Sequence, residues 1–383
     1  MKRRLVIITE IISPYRIPLF NSLAQNPEID LHVIFLSEND PSLRQWKVYK
    51  HEIAFSHQIL PSWRRRVGKY NFLLNSKLIQ SLSQASPQAI LCGGYSYVAS
   101  WRALLWARSR NIPFLLWSES NRYDVRRGHA LVEMLKKEFL SNCDGFVVPG
   151  LCAQEYLRVH DIREDRIFTA PNAVDNDLFS SSALLTRQSA TSTRRELDLP
   201  DRYFLFVGRL VREKGIFELL RAYAMLADNL RRQVGLVFVG DGPCRSELEE
   251  QAHIVTVGAV RFPGFVQREQ LPAYYGLAEI FVLPTYTDTW GLVVNEAMAC
   301  GLPVIVTRVA GCVPDLIREN RNGLLVRPRD VASLQSAMAM LACQRDLGAE
   351  MGAHASQHIA GYSPRAWSAG IADAVQAIVG MHD

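Results

Sequence analysis

The chain has 383 residues, 48% of them hydrophobic and 21% charged, with a formal net charge of +5. That length supports two domains with separate cores, and the composition is ordinary for a soluble globular protein. No apolar run reaches the roughly 18 residues a membrane helix needs, and the seven cysteines show no metal-like spacing, so reduced thiols in a cytoplasmic protein are expected.

The start, Met1-Lys2-Arg3-Arg4-Leu5-Val6-Ile7-Ile8, has the look of a signal peptide, but Glu10 interrupts the apolar stretch. A first buried strand is the better reading. From there short apolar runs alternate with amphipathic stretches. Residues 5–8, 31–35, 89–91, 113–117, 145–148 and 166–169 read as strands of the first half. Residues 203–207, 234–239, 260–262, 280–283 and 303–306 read as strands of the second. Helical patterns over 17–25, 97–110, 216–230 and 244–252 lie between them. Such alternation predicts an α/β protein of two doubly wound parallel sheets. Residues 180–200, rich in Ser, Thr and Ala, read as a linker between a domain over 1–179 and one over 201–362. A final helix is expected over 363–383.

Charge is uneven along this plan. Residues 1–178 hold 23 Lys and Arg against 17 Asp and Glu, a balance of +6, and the remainder holds 20 against 21, a balance of −1. Arg64-Arg65-Arg66 with Lys69, Arg126-Arg127 and Lys136-Lys137 supply the excess. Two readings stay open: a solvated face, or contact with an anionic membrane surface or a lipid-pyrophosphate acceptor. Nucleic acid is not expected, because no stacking aromatics interleave with these cations in a recognisable module.

Ligands of doubly wound sheets bind outside the carboxyl ends of the strands, so the chemistry is expected on the loops after the strands. In the first half these carry Ser13-Pro14-Tyr15-Arg16, Gly93-Gly94-Tyr95 and Trp117-Ser118-Glu119-Ser120-Asn121. Glu119 is the best group to orient or deprotonate a hydroxyl, with a structural or binding Glu as the alternative, and His129 reads as a surface or helix-start residue. Asp175-Asn176-Asp177 imitates a metal-binding Asp-x-Asp, but it does not end a strand, so no metal is expected. In the second half, Arg209 and Lys214 bracket Val207-Gly208-Arg209-Leu210-Val211-Arg212-Glu213-Lys214-Gly215, where two cations can converge on one anion. Val239-Gly240-Asp241-Gly242-Pro243 is by itself a generic turn. The strongest signal runs from Thr285 to Pro314: a buried strand, a polar loop, then Gly291 opening a helix, with Asp288 and Glu296 flanking its start. A helix N-terminus suits phosphate, and carboxylates beside it accept bonds from sugar or ribose hydroxyls. Together they suggest a nucleotide-sugar site.

This last stretch, with Glu296 followed by Ala297-Met298-Ala299-Cys300-Gly301-Leu302-Pro303-Val304-Ile305, closely resembles the retaining glycosyltransferases of family 4. Their pattern is Glu, seven residues, Glu, and here Asp288 stands at the first position, one methylene shorter. The resemblance implies the GT-B fold: two Rossmann-like doubly wound domains facing across a cleft, with the last helix returning to the first domain. It implies that Arg209 and Lys214 clamp the donor diphosphate, that Glu296 takes the ribose hydroxyls, and that Asp288 faces the donor sugar. Gly208, Gly240, Asp241, Phe265, Trp290, Gly291, Leu292 and Gly311 complete the donor side, and Arg16, Gly94, Tyr95 and Glu119 are the acceptor-side candidates. The catalytic roles are expected of Arg209, Lys214 and Asp288, with Glu119 as the candidate on the acceptor side. Family members often have a Gly-Gly loop after the first strand; this chain has Arg16 there, as a substitute charge or as an ordinary helix-start residue.

The expected activity is metal-independent, retaining transfer of a hexose-type sugar from a nucleotide-diphosphate donor to a glycan or polyprenyl-pyrophosphate-linked acceptor, in bacterial surface or exopolysaccharide assembly. No cofactor is expected. The expected place is the cytoplasm, with a peripheral position on the inner face of the cytoplasmic membrane as the alternative that the basic first half leaves open. Alternatives are a sugar phosphorylase, or a non-catalytic nucleotide-sugar-binding partner of related fold.

Overall fold

A computed structural model describes residues 2–40, 45–67, 70–121, 130–254 and 258–381. The chain divides into two compact units, Met1–Asn172 with Pro364–Asp383, and Ala173–Ser363.

The first unit is built on a seven-stranded sheet. Its strands are β1 (Arg3–Thr9), β2 (Ile29–Phe35), β3 (Ser56–Ile59), β6 (Ala89–Cys92), β7 (Phe114–Trp117), β8 (Gly145–Val148) and β9 (Ile167–Thr169), in the order β3-β2-β1-β6-β7-β8-β9. Every pairing is parallel. Such a sheet needs cover on both faces, and β1 divides accordingly: Leu5 and Ile7 join one core, Val6 and Ile8 the other. Helices α1 (Ile17–Ala24), α2 (Leu78–Ala85), α3 (Val98–Arg108), α4 (Ala130–Ser141) and α5 (Leu151–Val159) connect the strands. An antiparallel hairpin, β4 (Ser62–Val67) and β5 (Tyr70–Asn75), stands apart from the sheet. Neither the hairpin nor β3 was expected from the sequence, since their runs carry many polar and charged residues.

The second unit opens with α6 (Asn176–Gln188) and α7 (Ala190–Glu196). Here the linker expectation over 180–200 is corrected: most of that stretch is helix, and it belongs to this unit. Phe179 and Ala183, one turn apart, are buried, while the hydroxyls of Ser181 and Thr186 bond back to the carbonyls of Asp177 and Ser182 at 2.6 and 2.8 Å. Ser and Thr placed this way sit on the outer side of a helix, which is why the composition imitated a linker. The domain boundary accordingly falls at 172/173 rather than near 180.

Its six-stranded sheet comprises β10 (Tyr203–Val207), β11 (Gly235–Val239), β12 (Val260–Gly264), β13 (Ile280–Leu283), β14 (Val304–Thr307) and β15 (Gly323–Val326), ordered β12-β11-β10-β13-β14-β15 and parallel throughout. The helical stretch expected over 216–230 is two helices, α8 (Ile216–Ala224) and α9 (Asp228–Arg231). Helices α10 (Arg245–His253), α11 (Leu271–Leu277), α12 (Leu292–Ala299), α13 (Val313–Leu316), α14 (Val331–Cys343) and α15 (Arg345–Ile359) complete the unit. The strand order reverses between β10 and β13, the switch point at which such sheets bind ligands.

The last helix, α16 (Pro364–Gly380), belongs to the first unit and packs on α1, β8 and β9. Trp367 is fully buried between Phe20 and Trp117, with ring centroids 5.7 and 5.3 Å away. Gly370 lets the helix lie on β9, since a Cβ there would come within 2.3 Å of the Thr169 carbonyl. Among the described residues no helix is long and apolar enough to cross a membrane.

Candidate functional site

At the carboxyl edge of the second sheet the loops after β10 and β11 are laced together. The Gly208 N–H donates to Val239 O at 3.0 Å, and the Leu210 N–H to Asp241 O at 2.9 Å. The approach is so close that a Cβ on Gly240, whose φ is +136°, would lie 1.9 Å from the Gly208 carbonyl oxygen. Only glycine fits there. The generic-looking turn is therefore fixed by its contact with the neighbouring loop.

Across the switch point, the turn ending in Lys214 meets the loop after β13. Gly215 has φ +68°, and a Cβ on it would sit 2.0 Å from Pro284 O. The Tyr286 N–H and the buried Thr285 hydroxyl both donate to Glu213 O, at 2.7 and 3.0 Å. Thus clamped, Lys214 Nζ lies 2.5 Å from Asp288 Oδ2, in an ion pair that is largely shielded from solvent. The loops after β13 and β14 are also joined: the Gly311 N–H donates to Asp288 O and the Cys312 N–H to Trp290 O, both at 3.1 Å.

Gly291, at φ +96°, is the residue from which α12 springs. Its left-handed backbone turns the chain sharply after Trp290, and the first turn of the helix, from Leu292, leaves N–H groups without intrahelical acceptors. One turn on, Glu296 Oε2 accepts the Tyr275 hydroxyl at 2.7 Å. Burial pushes the Glu296 carboxyl up to about 7, against the Tyr275 hydrogen bond, which lowers it. Tyr275 is itself fully buried, on α11. The sequence reading missed it, because nothing in local spacing links it to a residue 21 positions later.

The structure thus brings together Gly208, Gly240, Lys214, Asp288, Gly291 and Gly311 through contacts that run loop to loop. Arg209 sits on the same loop as Gly208, exposed. Phe265 follows β12 and is also exposed. Asp241 turns its carboxylate onto its own loop, accepting the Gly242 N–H at 2.7 Å. Trp290, a donor-side candidate, is 3% exposed and its indole N–H donates to Asn295 Oδ1 at 2.9 Å, so its side chain packs within the loop.

In the first unit, two acceptor-side candidates meet. Arg16 Nη2 lies 3.4 Å from Glu119 Oε1, Nη1 donates to Thr9 Oγ1 at 2.9 Å, and the guanidinium stacks on Trp117 at 4.3 Å. Arg16 and Glu119 therefore form one group at the carboxyl ends of β1 and β7. Gly94 takes φ +112° in the loop after β6. Tyr95, half-buried, packs its ring on Phe139, with centroids 5.8 Å apart. Asp175 caps α6 by accepting the Leu178 N–H at 3.0 Å. Of the basic clusters, Arg64 pairs with Glu10 and Asp40, and Lys136 is buried, bonding Glu133 at 3.0 Å. Lys69, Arg126-Arg127 and His129 lie outside the described residues.

Two family models match consecutive stretches: Glycosyltransferase Family 4 over residues 21–178, and Glycosyl transferases group 1 over residues 189–358. The chain belongs to this glycosyltransferase family. It is 35% identical to a D-inositol 3-phosphate glycosyltransferase of Corynebacterium jeikeium over 238 residues, 60% of this chain and 56% of that protein. It is 42% identical over 147 residues to a Bacillus subtilis glycosyltransferase named for teichuronic acid biosynthesis, 38% of this chain and 34% of that one. The matches thus span about a third to a little over half of those relatives' length. Among solved structures, sucrose-phosphate synthase from Thermosynechococcus elongatus superposes with a TM-score of 0.72 at 21% identity, covering 97% of this chain and 98% of that one. Anabaena HepE, in complex with UDP and glucose, superposes with a TM-score of 0.74 at 17% identity over the same shares. These likenesses show the fold, GT-B.

Proposed function

We propose that the protein is a retaining glycosyltransferase that moves a hexose-type sugar from a nucleoside-diphosphate donor to a hydroxyl of a glycan or lipid-linked saccharide in bacterial surface or exopolysaccharide assembly. The observation that carries this reading is the convergence of Lys214 and Asp288 at the β10/β13 switch point, beside the loop from which α12 springs. A diphosphate seated against the helix start competes with Asp288 for the Lys214 ammonium. Taking the cation frees the carboxylate for the donor sugar's hydroxyls. Lys214 with Arg209 then neutralises the charge growing on the leaving diphosphate without a metal, and a leaving phosphate oxygen takes the acceptor proton. Glu296, held by Tyr275 through one oxygen, has the other for the ribose. The solved complexes of Anabaena HepE with UDP and UDP-glucose support a uridine nucleotide as the first donor to try.

Calorimetric titration with UDP, GDP and ADP and their sugar conjugates, with and without EDTA, tests the reading. Binding of one base that EDTA leaves unchanged is the expected result. Failure of every nucleotide to bind overturns it, and so does binding that EDTA abolishes, because the mechanism has no place for a metal. Turnover of the bound donor excludes a silent binding partner, and cleavage that depends on inorganic phosphate instead would make the protein a phosphorylase.

A further inference from the structure

We infer that the β4–β5 hairpin, with the outer surface of α3 beside it, is a docking surface for an anionic lipid bilayer. The hairpin has two unlike faces. In its antiparallel register Trp63 lies opposite Leu74, and Arg65 opposite Phe72, so these four share one face. On that face Trp63 is 54% exposed, Phe72 51% and Leu74 45%, and none of the three joins a core cluster. The other face is anchored: Leu73 is buried in the core under α2 and α3, and Arg64 holds Glu10 and Asp40. The apolar outer face is thus presented by a hairpin whose inner face is fixed. Single exposed apolar residues are ordinary, but a cross-strand cluster of large ones is not.

Charge identifies the occupant. From residue 53 to residue 118 the chain has no Asp or Glu, and it has eight Lys and Arg. That stretch supplies the hairpin, α2 and α3. Among the described residues, the carboxylates paired with the hairpin, Glu10 and Asp40, come from outside the stretch and are held by Arg64. On α3, Arg102 donates to Asn75 O at 3.0 Å, tying the helix to the end of β5, and exposed Leu105 lies one turn further along. Aromatic and aliphatic side chains interleaved with cations, without carboxylates, match the headgroup zone of an anionic bilayer, where rings sit at the interface and each cation adds attraction. A second copy of this chain would bring a face of like charge and be repelled. Nucleic acid would call for many cations aligned on phosphates, whereas here apolar groups dominate the exposed face.

The inference deepens the lipid-linked acceptor of the proposed function and rests on that reading for its biological sense, but its test needs no donor. Full-length protein is co-sedimented with vesicles of phosphatidylcholine and with vesicles of phosphatidylcholine and phosphatidylglycerol in equal parts. Partitioning onto the anionic vesicles is expected, weakening as salt rises. Trp63→Ser with Phe72→Ser should lower it at least about tenfold, and Arg65→Gln about fivefold. Leu185→Ser, at an exposed apolar site in the second unit, should leave it unchanged. No partitioning of the wild type, unchanged partitioning of both hairpin variants, or displacement from vesicles by duplex DNA would each overturn the inference. Nucleotide titration of the same variants without vesicles reports the donor site separately, so the two readings can fail independently.

Discussion

Lys214 and Asp288 neutralise each other at 2.5 Å, so removing the lysine both deletes the cation meant for the diphosphate and leaves a carboxylate to repel it. Lys214→Ala is expected to lower kcat by on the order of a hundredfold to a thousandfold with little change in melting temperature. Turnover close to wild type would end the clamp assignment. Glu296 gives a prediction in pH. Its folded carboxyl titrates near 7 against an ordinary 4.5, so between those values the folded state holds more protons than the unfolded one. Stability from this group is therefore greatest below 4.5 and falls as pH rises toward 7, while ribose binding, which uses the charged form, rises through about 7. Tyr275→Phe removes the hydrogen bond that lowers the titration point and should move the rise in nucleotide affinity to higher pH. Glu296→Gln should flatten the component that the nucleotide's own phosphate does not supply. A Glu296→Gln profile that matches wild type would remove the ribose role.

At the scale of elements, the site depends on two loops touching across the sheet's switch point, and Gly215 lets them touch. Alanine there costs about 1–2 kcal/mol for the left-handed backbone alone, and its Cβ would collide with Pro284 O. Gly215→Ala is expected to lower the urea midpoint and to weaken donor binding as well, by pushing Lys214 away from the β13 loop. Equal donor affinity in wild type and variant would show that the loop contact is dispensable. The final helix offers the complementary case. Trp367 is wholly buried against Phe20 and Trp117, so Trp367→Ala should destabilise the first unit by about 3–5 kcal/mol, measured by urea unfolding. Donor binding, whose proposed residues all lie in the second unit, should survive in the absence of denaturant.

For the whole molecule, the sequence by itself determined the class of fold, because a parallel sheet buried on both faces demands continuous apolar strands alternating with helices. It also carries the signal for the proposed phosphate and hydroxyl chemistry, since Gly291, Asp288 and Glu296 fall within one strand-loop-helix passage whose pattern is local. The tertiary structure decided what depends on which faces meet. Lys214 and Asp288 are 74 residues apart, and Arg16 and Glu119 are 103 apart; no periodicity records such pairings. It set the Trp290 indole in the core, with its N–H on Asn295 Oδ1, where the loop turns sharply at Gly291. It made helix of a Ser- and Thr-rich stretch, because Phe179 and Ala183 found a surface to bury against. And it turned a run of arginines into two faces of a hairpin, Arg64 inward on carboxylates and Arg65 outward, because strand alternation separates neighbours that composition counts together.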